Sequence, residues 1–329
     1  MVTGLPTRAF LQTRGTARAS DYAFLGAAPA VPWWRAYRDA TAFEHPTVLV
    51  TSDGERWAAY LSGIPSARVD AVGSVVRYTL VVDGPCATPD AACVVAAVAA
   101  WLSDVANGRG DRPGGRLAAA LDARFPAPDV GRWLAASARG GDHTANLISD
   151  ERHSRRRGSD ESAVRQEGSA SSVERIGDVE RIGDVERIGE EVQQRALSAL
   201  AARPASVPGA DEPGDWIGAV AAPAPRAAFV ARVASLVGGT RGRAVLLNLV
   251  GGSAEAHSLL DPASSVAVLV ESPDPQLARC TALRPVVEAK KAPAPPSRAG
   301  VAVPGIALVA MVGVLALTAL VVTLLVWLL

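Results

Sequence analysis

Ligand chemistry is suggested most clearly by residues 246–260, LLNLVGGSAEAHSLL. A strand, two glycines and a helix start follow in the order used by anion-binding turns, where free amides and the helix dipole favour a phosphate. Gly251 and Gly252 are therefore the candidate phosphate- or cofactor-contacting residues, with an ordinary turn as the competing assignment. The Lys-Ser/Thr of a P-loop and the third glycine of a dinucleotide loop are both missing. GGTRGR (238–243) runs from helix to strand, the wrong order for a phosphate cradle, so Arg241 and Arg243 read as solvated.

Other reactive residue types are scattered. The three cysteines (Cys86, Cys93, Cys280) match no zinc spacing, and the four histidines (His45, His143, His153, His257) form no HxxxH pair. No CxxC, GxSxG or paired-carboxylate arrangement occurs, and only a remote pairing such as Cys86 with His45 is left for a triad. These motifs require no cofactor and no metal, and an enzyme is the less favoured reading. Zero net charge argues against nucleic-acid binding through the whole surface.

The elements that would hold such residues fall into two groups. In the first, residues 1–30 give little signal, and Arg8, Arg14 and Arg18 read as a solvated basic start. VPWWRAYRDATAF (31–43) reads as a short helix, with Trp33 and Tyr37 sharing a core face four residues apart. PTVLV (46–50), RWAAYLSGI (56–64) and SVVRYTLVVDG (74–84) read as three strands, antiparallel because the links are short. Ser52-Asp53-Gly54 marks the first turn, a loop runs through Pro65 and Asp70, and Asp83-Gly84-Pro85 ends the third strand. Thr88-Pro89-Asp90 starts a helix over 91–107, with a hydroxyl cap, Pro at the first turn and an acid at the positive dipole end. Its apolar run is too short to span a bilayer and predicts a central buried helix. Amphipathic helices follow at 116–125 and 129–139, and Cys93 reads as a small apolar core residue.

Between about 140 and 190 the composition turns to Arg, Asp, Glu, Ser and Gly, too polar to offset ordering entropy, so a disordered charged insertion is expected. It contains VERIGD (173–178), VERIGD (179–184) and VERIGE (185–190). A period of six turns successive isoleucines by ~600° around a helix, and each repeat glycine weakens one by up to ~1 kcal/mol. The repeat reads as a spacer, with a triplicate linear motif as the alternative. Order is expected to resume with a helix at 190–204, a Pro/Gly loop carrying Trp216, and a helix at 225–239. Strands are expected at 243–252 and 264–272, with an edge strand at 279–289.

The C-terminus, GIALVAMVGVLALTALVVTLLVWLL (305–329), carries no charge and as a helix would run ~37 Å, enough to cross a ~30 Å hydrocarbon core. Lys290, Lys291 and Arg298 upstream of it place that side in the cytoplasm, and Trp327 fits the opposite interface. The N-terminus has no apolar run, so a tail-anchored, single-pass cell-membrane protein with a cytoplasmic N-terminal domain is expected. Residues 289–304 form a Pro/Ala-rich tether reaching up to ~45 Å. Small residues at 307, 310, 313, 316 and 319 allow homo-oligomerisation through the span, although no GxxxG is present.

The expected fold class is α+β (mixed α/β): a small antiparallel sheet with packed helices, a disordered insertion and one C-terminal transmembrane helix. The first part covers 1–139, and the second, 191–288, is expected to pack with it; two separate domains are the alternative. The expected function is a binding or adaptor module that holds an unidentified cytoplasmic protein partner at the bilayer. Its composition resembles that of bacterial multi-protein signalling systems. A membrane-tethered enzyme acting on a phosphorylated or nucleotide-like ligand, and a membrane-active effector, are the alternatives.

Overall fold

Strands from both sides of the polar stretch meet in one sheet. In a computed structural model the described residues are 6–17, 21–42, 44–138, 171–201 and 210–283, with the side chains of 171–185 left aside. The tether, the expected span and the four residues flanking or closing it (Lys290, Lys291, Arg298, Trp327) lie outside the described residues.

The strands are β1 (Arg8–Thr13), β2 (Ala23–Phe24), β3 (Thr47–Ser52), β4 (Arg56–Val69), β5 (Val75–Pro85), β6 (Trp216–Ala219), β7 (Gly242–Leu247), β8 (Ser265–Val270) and β9 (Thr281–Ala282). They form a nine-stranded sheet in the order β2-β1-β5-β4-β3-β7-β8-β6-β9. The small antiparallel sheet expected from the sequence is corrected: β7, β8 and β6 are parallel, and β3 joins β7 antiparallel at Val48↔Leu246 and Leu49↔Val245. Short hairpin links produce the antiparallel half. The β6-to-β7 connection runs through a helix and therefore returns in the parallel sense.

Helices α1 (Pro89–Ala106), α2 (Arg116–Arg124), α3 (127–138), α4 (Ser171–Ala201) and α5 (Pro223–Val237) contribute to the core on one sheet face. Trp101 and Leu102 of α1, Trp133 of α3, Leu200 of α4 and Phe229 of α5 share that core with Leu11, Trp57, Leu61 and Leu80 of the sheet. Among the described residues α1 is the one helix long and apolar enough to cross a membrane, yet more than half of it is buried in this core. Thr88 precedes it in extended backbone, but its hydroxyl donates to the Pro85 carbonyl instead of capping the helix.

The opposite face is covered thinly. The 3-10 helix Trp33–Ala40 and the short helix α6 (Ser253–Ala256) lie over Leu49, Val245, Leu247 and Val268. Trp33 and Tyr37 do pack on this second core but stay half-buried.

Four boundaries differ from expectation. β4 does not stop at Ile64: Gly63, at φ +76°, lies against the His45 carbonyl, and two register shifts let the strand continue to Val69. β5 runs to Pro85, one residue past the expected end at 84, and Asp83 within it is paired across to Arg8 in the ladder. Trp216 is not in a loop but opens β6, where it is 2% exposed. The insertion does not reach 190. Helix α4 carries the repeat residues, and in the third copy Ile188 packs on the core while Gly189 lies against Gly26.

Candidate functional site

The strand registers place Arg8, Asp83, Ala58, Thr51 and Arg243 side by side across five strands on the thinly covered face. The next row along is Phe10, Val81, Tyr60, Leu49 and Val245. Small side chains at Ala58 and Thr51, between longer ones, leave a dent in the sheet surface. Trp34 stacks on Tyr60 with centroids 5.3 Å apart and planes at 18°, and it meets Trp33 edge-on at 6.2 Å. That aromatic anchor fixes the preceding segment as a wall over the dent. The result is a groove of about 490 Å³, walled by Pro29, Ala30, Val31 and Trp33 and bounded at the β3–β4 turn by Asp53. Its size falls in the ~300–1,000 Å³ range of ligand pockets.

One side of the groove is ionic. Arg8 grips Asp83 bidentately, with Nε to Oδ1 at 3.1 Å and Nη2 to Oδ1 and Oδ2 at 2.9 and 3.0 Å. Arg56 donates from Nη2 to the same Oδ1 at 3.0 Å. The carboxylate is 17% exposed, while the side chains of Arg8 and Arg56 remain 39% and 33% exposed. Counting Asp53 as well, the lining carries two guanidiniums and two carboxylates, whose formal charges balance. Asp53 at its end accepts the Arg56 and Glu55 amides at 2.8 and 2.9 Å. Those amides hold its carboxyl below the usual range, Arg56 contributing most.

Serine chemistry is not supported here. Ser52 Oγ accepts the Gly54 amide at 3.1 Å and lies 3.6 Å from Cys86 Sγ. His45 sits beyond the opposite end of β3, roughly 20 Å away at ~3.3 Å per residue, so the remote Cys86–His45 pairing is not assembled. The remaining thiols are unreactive in character: burial first and then Asp90 push Cys93 up, and burial first and then Glu212 push Cys280 up to about 11. No group of metal-ligating side chains occurs among the described residues.

Gly251 and Gly252 follow β7 and precede a helix, as expected, but that helix is only Ser253–Ala256. The two glycine amides point at Glu255, whose Oε2 accepts from them at 2.8 and 3.0 Å. The chain's own carboxylate thus fills the anion position that a phosphate would need. Neither glycine contributes to the groove. Arg241 is exposed, as read, and also donates to the Asp53 carbonyl, whereas Arg243 is half-buried and donates to the Leu259 carbonyl.

The groove residues were hard to single out from sequence. Arg8 belongs to a stretch with little signal, and Asp83 precedes Gly-Pro like any strand terminator. The available sign was period two in β4, where Arg56, Ala58 and Tyr60 alternate with buried residues and so share one face; in β5 the run 78–82 is buried throughout and gives no such sign. Comparison of the chain with protein-family models, with curated proteins and with solved structures found no match.

Proposed function

We propose that this chain is a membrane-tethered binding module. Its folded α/β unit stands on the cytoplasmic side of a bilayer and holds a protein partner in the groove between Arg8, Asp83 and the Pro29–Trp33 wall. Residues 305–329 are the span and 289–304 the tether. The observation that carries the binding reading is the groove's lining. It combines an apolar, aromatic wall with ion-paired arginines, and among the described residues no His, Cys, Lys or Glu lines it. Polar groups few in number beside apolar ones are what recognition needs. The membrane part rests on the uncharged length of 305–329 and the basic residues before it.

Two equally exposed valines provide the test. Val31 borders the groove and is 67% exposed, whereas Val72, in the β4–β5 turn, is 68% exposed. A photo-crosslinking residue at each position in full-length protein should give a discrete adduct at 31 and none at 72, in a membrane fraction that resists carbonate. Equal labelling at both positions removes the groove from the reading, and release by carbonate removes the membrane.

A further inference from the structure

We infer that the groove takes an uncharged interior stretch of a partner's chain, with an apolar side chain seated over Ala58. The inference rests on the binding reading above and names the chemistry of the ligand. Four formal charges line the groove, Arg8 and Arg56 against Asp53 and Asp83, and they cancel. Each is also engaged within the protein. Asp83 takes Arg8 through both of its oxygens and Arg56 through Oδ1. Asp53 accepts the Glu55 and Arg56 amides and has the Arg241 guanidinium close by. A charge carried in by a ligand would shed its water and find no uncommitted partner of opposite sign, which is unfavourable.

The remaining surface is apolar. Of the four large hydrophobic side chains that stay exposed among the described residues, Val31 alone lines the groove. It stands beside Pro29, Ala30 and Trp33 in the wall. Covering that wall removes apolar area from water, the main driving force of association. The floor admits a side chain at one place. Ala58 lies between Asp83 and Thr51 in the cross-strand row, and its methyl leaves the space that a longer residue would fill. Neutrality also decides which part of a chain fits. A free chain end brings an ammonium or a carboxylate, whereas an interior stretch brings only amides.

The test uses the full-length protein in lipid nanodiscs and hexapeptides made of Gly, Ser, Ala, Val and Leu, blocked by acetyl and amide groups. Three further arms carry one Glu, one Lys, or one of each, and a fourth has both ends free. Equilibrium dialysis with mass-spectrometric readout, corrected for empty nanodiscs, should retain the blocked uncharged peptides about tenfold more strongly than every charged arm. Their retention should change by less than about twofold between ~0.05 and ~0.5 M salt, since no ion pair forms across the interface. Val31→Asp places a carboxylate in the wall at an exposed position and should lower retention by about tenfold, while Val72→Asp, equally exposed but outside the groove, should not. Ala58→Leu fills the floor and should lower it as well, with the unfolding midpoint kept near the parent's. Should Ala58→Leu not fold, Val31→Asp carries the test. Equal or stronger retention of any charged arm overturns the inference, as does loss of retention with salt, or full retention by Val31→Asp or by a folded Ala58→Leu. If no peptide is retained while position 31 still crosslinks a partner, the uncharged ligand is wrong and the binding module stands. Retention without a crosslinked partner keeps the ligand chemistry and removes the tethered module. If both fail, both readings fall.

Discussion

Replacing Gly26 by alanine tests whether the third repeat really docks as a helix, because two separate penalties meet there. Gly26 has φ +73°, and a Cβ on it would lie 2.7 Å from Cα and N of Gly189 and 3.2 Å from the Ile188 carbonyl carbon. Left-handed backbone disfavours a Cβ by ~1–2 kcal/mol, and forcing an atom into packed backbone adds ~1–3 kcal/mol. Gly26→Ala should therefore destabilise by about 2–5 kcal/mol, a large share of the ~5–15 kcal/mol of an ordinary domain. Gly73 isolates the first penalty, since it has φ +85° with nothing within 4 Å of a Cβ; Gly73→Ala should lose only ~1–2 kcal/mol. Gly189→Ala runs the other way. Alanine gains up to ~1 kcal/mol of helix propensity, against contacts of 3.3 and 3.4 Å with Ala27, which is exposed and able to yield. Its net effect should stay within about 1 kcal/mol of zero. Urea unfolding followed by tryptophan fluorescence measures all three, with unchanged m-values required. The segment beyond Gly26 becomes the groove wall, so Gly26→Ala should lower crosslinking at position 31 as well. A Gly26→Ala loss no larger than that of Gly73→Ala refutes the docked helix.

Arg232 is 3% exposed and binds both Asp211 oxygens at 2.8 and 2.9 Å, together with the Gly214 carbonyl at 3.0 Å. Asp211→Ala should lose about 3 kcal/mol, because a buried guanidinium is left without its counter-charge, and adding Arg232→Met should restore part of it in denaturation. Tyr78 donates to Asp122, and its phenol is pushed up to about 12 by burial, helped by Asp122 and opposed by Arg68. A folded value above the unfolded ~10 means stability is fully present below pH ~10 and lost as pH climbs to about 12. Tyr78→Phe should flatten that decline in a series of unfolding midpoints. Trp34→Ala removes the stack on Tyr60 and the edge contact with Trp33; each aromatic pair contributes ~0.5–1.5 kcal/mol. Amide exchange should rise over 33–40 while β4 and β5 stay protected.

Much of the local structure is legible along the chain, for reasons that act over a few residues. Pro89 and the alanine-rich run behind it predict α1, and Gly238-Gly239 predict the end of α5. β-branched runs predict β3, β5 and β8, and a short apolar run predicts β7. The failures also have local causes. Pro65 reads as a strand breaker, but a register shift absorbs it. The repeat glycines read as helix breakers, but Gly189 is where the helix must approach Gly26.

Strand partners were decided elsewhere. Ala42 and Asn248 are bonded across 206 positions, and Arg8 meets Asp83 across 75. Periodicity marks a strand and its buried face, yet it is silent on which strand lies beside it, since β-pairing offers many edges of similar local strength. Burial of two faces at once makes that choice, and only a folded sheet has two faces. The sequence by itself thus determined the elements and the long uncharged stretch at 305–329. Tertiary packing alone decided that β1 lies beside β5, and so that Arg8 joins Arg56 and Asp83 in a groove.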